Sequence, residues 1–273
     1  MAVPRSNREW KYWGEHDPLF GVLTVPGRSR QGSRPWSLAE VKEQGERYFS
    51  EILPHWVSYG IGREHCVEIG CGTGQLTARL VASFATVTGI DVSSHQLESA
   101  RQLLGADIER VKLVQVEAPH IPLADASCDG VFSCEVFQHF DSEDTAVEYL
   151  KEAFRVLSPG GTICVHLPIA GLQPRSGWWI RARNFLLRIA RNVGRKRMMI
   201  YRWYSAPRVI TLLDHLGFCR VQGLLHFSHA HGGAEAYFFA TKPFSAPAAS
   251  PSISVQASGQ PLLNHQHESR PIR

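Results

Sequence analysis

The stretch "HCVEIGCGTGQL", residues 65–76, runs from a short apolar segment into three alternating glycines, Gly70, Gly72 and Gly74, with one carboxylate, Glu68, inside the apolar run. A run of that length and composition reads as a buried strand. Glycines at its carboxyl end let the backbone turn sharply and approach a ligand closely. Leu76, Leu80 and Val81 then recur at helical spacing over 75–84, and the start of a helix offers free N–H groups to an anionic group. Strand, bare turn and helix together form the opening unit of a parallel α/β sheet.

The same alternation continues outward. Further strands are expected at 86–92, 111–116, 128–134 and 162–168. Helices are expected at 94–104, 141–157 and around 205–216, the second capped by Asp141. Residues 218–227 and 235–243 read as an antiparallel pair joined by "SHAHGGA". Short buried strands alternating with helices define an α/β class, a doubly wound, mostly parallel seven-stranded sheet with an antiparallel edge hairpin. Ahead of it, Ser37 and Glu40 form a capping box for a helix over 37–59, and residues 1–36 are aromatic, basic and turn-rich. The expected division is an N-terminal lid and helix over 1–59 and the main domain over 60–243. A basic helical cap is inserted at about 169–204, and 244–273, rich in Pro, Ser, Ala and Gln, is expected to be a disordered tail.

A chain of 273 residues suits one such domain with additions. Its net charge of +4 says little about partners. The six cysteines include no CxxC pair and fall in apolar runs, so they read as reduced and buried, and no metal is expected. The N-terminus has no apolar signal core and no run reaches 18 apolar residues, so a cytoplasmic protein is expected, with peripheral membrane contact open.

Spacing sorts the cofactors that a glycine turn can serve. The P-loop pattern GxxxxGK[ST] is absent. A dinucleotide turn wants GxGxxG, but Gln75 stands where the last glycine belongs. S-adenosyl-L-methionine remains. Four segments then resemble, in order, the motifs of class I S-adenosylmethionine-dependent methyltransferases of the type 11 group. These are "VEIGCGTGQ" (67–75), "GIDVS" (89–93), "VEAPHIPLADASCDGVFSCEVFQHF" (116–140) and "LKEAFRVLSPGGTICV" (150–165). The resemblance implies a Rossmann-like fold and methyl transfer. It implies that Gly70, Cys71, Gly72 and Gly74 cradle the cofactor and that Glu68 faces its methionine end or braces loop N–H groups. Asp91, with Val92 beside it, suits the ribose hydroxyls, because a carboxylate only accepts hydrogen bonds. Glu117 and the Ala118 N–H suit the adenine, although the family usually has Asp at the first of these positions. Glu135 and Gln138 fall in the cofactor shell.

His139 is the candidate general base, with packing at the next helix as the other reading. Tyr12, Trp13, His16 and Asp17 of the N-terminal segment are candidate lid contacts. His229 and His231 share a strand face, but the turn around them offers no metal-ligand pattern. Between Glu152 and Asp214 no acid occurs while eleven Lys or Arg do, most of them in 175–203. There Arg188, Arg191 and Arg195 oppose an apolar face of Phe185, Leu186 and Ile189. A solvated cap helix, a pocket for an anionic acceptor and docking on an anionic membrane all fit. The expected partner is a small-molecule or lipid-like acceptor, methylated on oxygen or nitrogen, and no nucleic acid is expected.

Overall fold

The computed structural model describes residues 4–25, 27–171, 201–228, 233–244 and 254–257. Five parallel strands carry the fold: β1 (His65–Ile69), β2 (Thr86–Asp91), β3 (Val111–Gln115), β4 (Cys128–Ser133) and β5 (Leu157–Ile169). β6 (Cys219–Ser228) and β7 (Gly233–Thr241) form the expected antiparallel pair. With a short strand β8 (Ser254–Ala257), the sheet order is β3-β2-β1-β4-β5-β7-β6-β8. The chain leaves β1 toward β2 and β3, then crosses back to β4 on the other side. The switch point therefore lies between β1 and β4, where a doubly wound sheet binds its ligand beyond the strand ends.

The expected seven strands and the antiparallel β5-β7-β6 edge pairing are present, and β8 (Ser254–Ala257) adds a short eighth strand in parallel to β6. Those four residues lie within the expected tail, most of which falls outside the described residues. Most of the basic cap, with Arg188, Arg191 and Arg195, also falls outside them, as do His229 and His231.

Helices cover both faces. α3 (Leu38–Tyr59), α4 (Thr77–Ser83) and α5 (Ser94–Leu104) follow α1 (Arg5–His16) and α2 (Pro18–Val22), and α6 (Glu143–Val156) and α7 (Ala206–His215) are the other α-helices among the described residues. Ser37 accepts from the Glu40 N–H while Glu40 reaches back to the Ser37 N–H, so the capping box forms as read. α6 is capped by Ser142 rather than Asp141. Asp141 instead accepts from the Ser6 N–H and hydroxyl, which ties the N-terminal segment to the domain. One apolar cluster joins α6 and α7 to β4, β5 and β7 through Leu150, Val131, Leu167 and Leu213. A second joins α3 and α4 to the opposite face through Phe49, Trp56, Phe84 and Phe132. All six cysteines are free thiols and five are buried.

Candidate active site

The glycine turn after β1 is built as a cradle. Gly70, Gly72 and Gly74 all have positive φ, at 73°, 51° and 79°. The Gly70 and Cys71 N–H groups both donate to the Ile90 carbonyl, pinning the turn to β2. A Cβ on Gly70 would lie 2.4 Å from Val136, and one on Gly74 would lie 3.0 Å from Ala100. The turn is bare because both its torsions and its neighbours exclude side chains.

Two carboxylates stand behind it. Glu68 is buried in β1 and accepts from the Thr77 hydroxyl at 2.5 Å. Burial pushes its pKa up to about 8, against the Thr77 hydrogen bond and with help from the nearby Asp91 charge. Asp91 ends β2. Its Oδ2 accepts from the Gly72 N–H and its Oδ1 from the Ser93 N–H, both at 2.9 Å. Its pKa is also raised by burial, with those backbone donors opposing. Val92 follows, and its carbonyl accepts from the Gln115 side chain.

The N-terminal segment lies over this turn. α1 and α2 pack on α5. The Gln96 amide donates to the Pro18 carbonyl, and a Cβ on Gly72 would meet Val22 of α2 at 3.0 Å. Asp17 caps α2 and His16 stacks on Tyr12. Four buried polar atoms around the turn have no hydrogen-bond partner among the described residues: Thr73 Oγ1, Gln75 Oε1, Gln96 Oε1 and Trp13 Nε1. Buried polar groups are normally satisfied. Unspent donors and acceptors beside a glycine cradle fit a polar ligand such as S-adenosylmethionine.

Glu117 and Ala118 stand at the end of β3, both exposed. The Glu117 carboxylate is held by Lys11 of α1 at 2.6 and 2.7 Å, and Asn7 bonds its carbonyl. An ion pair with α1 thus occupies the side chain expected to reach adenine.

Glu135, Gln138 and His139 follow β4. Glu135 is a non-glycine residue at φ 59°. Its carboxylate accepts from the Gln138 amide. His139 packs edge-on against Trp10 of α1 at 5.0 Å and Tyr201 at 6.2 Å. Besides Glu117 and Ala118 after β3, the strand candidates gather at the carboxyl end of the parallel strands in two groups. The glycine turn with Glu68, Asp91 and Val92 is one, and Glu135, Gln138 and His139 are the other. Val136 against Gly70 joins them.

Residue reading missed the groups behind Glu135. His166 of β5 has Nδ1 3.5 Å from Glu135 and Nε2 3.5 Å from Glu235 of β7. Burial would lower the His166 pKa, but the two carboxylates more than reverse this and it is raised. The Tyr201 hydroxyl donates to Glu235 at 3.3 Å. A separate cleft on the outer side of α3 is lined by Arg28, Arg34 and Glu40. Its charges already pair with one another.

Residues 67–165 match the family model described as a methyltransferase domain. Over that span, about a third of its length, the chain is similar to methyltransferase domains. It is 36% identical over 105 residues to an O-methyltransferase of Pyrenophora dematioidea, covering 37% of this chain and 38% of that one. It is 34% identical over 134 residues to the methyltransferase GfsG of Streptomyces halstedii, covering 48% and 46%. The chain thus spans less than half the length of these curated relatives. Among solved structures, an S-adenosylmethionine-dependent methyltransferase of Methanosarcina mazei superposes with TM-score 0.58 at 19% identity, over 70% of this chain and 98% of that one. The [4+2]-cyclase SpnF superposes with TM-score 0.57 at 18% identity, over 90% and 99%. These two likenesses show the fold alone, since proteins named for different reactions share it.

Proposed function

We propose that this chain transfers a methyl group from S-adenosylmethionine to a small-molecule or lipid-like acceptor, on oxygen or nitrogen. The observation that carries the reading is the glycine cradle at the β1/β4 switch point, flanked by Glu68 and Asp91 and edged by unspent buried polar atoms. Bound there, the cofactor supplies a methyl group already activated on a sulfonium. The chain's own work is to hold it, orient it and exclude water.

Gly70, Cys71, Gly72 and Gly74 leave room for close backbone approach, and Asp91 keeps lone pairs for the ribose hydroxyls. Thr73 and Trp13 contribute buried donors, Trp13 from the lid side. Ala118 remains suited to adenine through its N–H, while Glu117 would have to share its carboxylate with Lys11. In this reading His139, beside Trp10 and Tyr201, takes a proton from an acceptor that carries one. The O-methyltransferases among the curated relatives support oxygen as the acceptor atom. The basic segment 175–203, with Trp178 and Trp179 beside its arginines, supports a lipid-like acceptor met at an anionic membrane surface.

The test is transfer of label from methyl-labelled S-adenosylmethionine to a panel of hydroxyl- and amine-bearing small molecules and lipids. Label on one acceptor, with stoichiometric S-adenosylhomocysteine, is the expected result. Binding of the cofactor without turnover on any acceptor would leave a binding module and remove transfer.

A further inference from the structure

His166 and Glu235 stand in the last places where residue reading looks for chemistry, inside the most buried strands of the sheet. Register explains how they meet. His166 of β5 pairs directly with Tyr237 of β7, and Glu235 lies two residues along the same face of that strand. β4 ends at Ser133 opposite Val165, so the chain beyond it carries Glu135 over the same end of the sheet. One donor atom from each of Glu135, His166 and Glu235 lies within 4.8 Å of the other two.

Several observations distinguish this cluster from an ordinary group of surface acids. The His166 and Glu235 side chains are 1% and 3% exposed, while Glu135 is 33% exposed and forms the mouth. Glu135 holds a left-handed backbone that costs a non-glycine residue energy, which points to a placed side chain. The Gln138 amide donates to Glu135, and its carbonyl oxygen Oε1 is buried with no hydrogen-bond partner among the described residues. The spacing adds a geometric argument. Each His166 nitrogen lies 3.5 Å from a carboxylate oxygen. Metal bonds of roughly 2.0–2.2 Å meeting at a tetrahedral angle set neighbouring donors roughly 3.4 Å apart.

We propose that Glu135, His166 and Glu235 bind one divalent cation of the zinc or manganese class, with Gln138 Oε1 as a further oxygen donor. One imidazole, two carboxylates and an amide oxygen form a mixed nitrogen–oxygen set that suits those ions. The ion would face the acceptor side of the glycine turn, since Val136, next to Glu135, packs on Gly70. Its use there, to order and polarise an acceptor oxygen, rests on the methyl-transfer reading. The site itself does not.

The experiment is calorimetric titration of chelator-stripped full chain with zinc chloride and, separately, manganese chloride. S-adenosylhomocysteine is titrated in parallel. The parent should bind one equivalent of at least one ion with micromolar affinity. His166→Asn and Glu235→Gln should each weaken that binding by about tenfold or more while still binding S-adenosylhomocysteine. Absence of saturable binding of either ion to the parent overturns the site, as does undiminished binding in both variants. Should a variant fail to fold, the parent decides alone. Broadening of the His166 ring resonance by stoichiometric manganese supports the site, and an unaffected ring resonance overturns it. Loss of S-adenosylhomocysteine binding by the parent would count against the methyltransferase reading and leave the cation site to its own result.

Discussion

Glu68 shows how one residue couples the site to stability. Its pKa stands at about 8 against an ordinary 4.5, because burial penalises the carboxylate more than Thr77 relieves it. Between those two values the folded chain keeps a proton that the unfolded chain has released. Stability is therefore lost as pH rises through that window, by on the order of 4 kcal/mol if Glu68 acts alone. Glu68→Gln removes this proton and should flatten the stability curve between pH 5 and pH 8.5. Chemical denaturation at the two pH values would check it, and parallel curves for parent and variant would refute the account. Asp91 makes the complementary case. Asp91→Ala should weaken S-adenosylmethionine binding by more than about 1 kcal/mol, the order of a charge-assisted hydrogen bond. Unchanged affinity in a titration would remove Asp91 from the site. Both residues were legible because their signals are local: an acid inside an apolar strand and an acid ending the next one. His166 and Glu235 gave no such signal. Their meeting depends on strand register across a hairpin, which spacing along the chain does not encode.

At the scale of elements, the N-terminal segment was legible as an aromatic, charged stretch, and its role as a lid is a proposal. Aromatic, charged residues before the glycine turn suggested a cover, and α1 and α2 do lie against α5 and the turn. The contacts that hold it there were not legible, since Lys11 with Glu117 and Ser6 with Asp141 join residues far apart in sequence. The cost of a wrong contact is readable now. A Cβ on Gly14 would lie 2.1 Å from the Ser93 hydroxyl, the cap of α5. Gly14→Ala should therefore lift α1 from α5, lower stability by about 1 kcal/mol and speed S-adenosylhomocysteine release. Stopped-flow displacement would show it, and an unchanged release rate would mean that α1 does not act as the cover. The capping box of α3 was legible because its residues are four apart or fewer. The cap of α6 was missed by one residue because Asp141 and Ser142 are both good caps, and tertiary contact with Ser6 decides between them.

For the whole molecule, strand and helix alternation was enough to give the class and the switch point, because each buried strand and amphipathic helix announces itself over a few residues. The eighth strand was not legible. Ser254–Ala257 lies in a Pro- and Ser-rich stretch that lacks the apolar run of a buried strand, and its place beside β6 comes from edge pairing. Among the described residues no helix is long and apolar enough to cross a membrane. The membrane proposal therefore concerns surface docking. Replacing Arg188, Arg191 and Arg195 with Gln should reduce sedimentation with anionic vesicles and leave cofactor affinity alone. Indifference of the parent to vesicle charge would end that proposal.

The central claim is that the glycine turn serves S-adenosylmethionine. Calorimetric titration of the full chain with S-adenosylmethionine, S-adenosylhomocysteine and NADH tests it most directly. Micromolar binding of the two adenosyl ligands and none of NADH is the predicted result. Binding of NADH alone would contradict it and give the turn, despite Gln75 in place of the last glycine, to a dinucleotide.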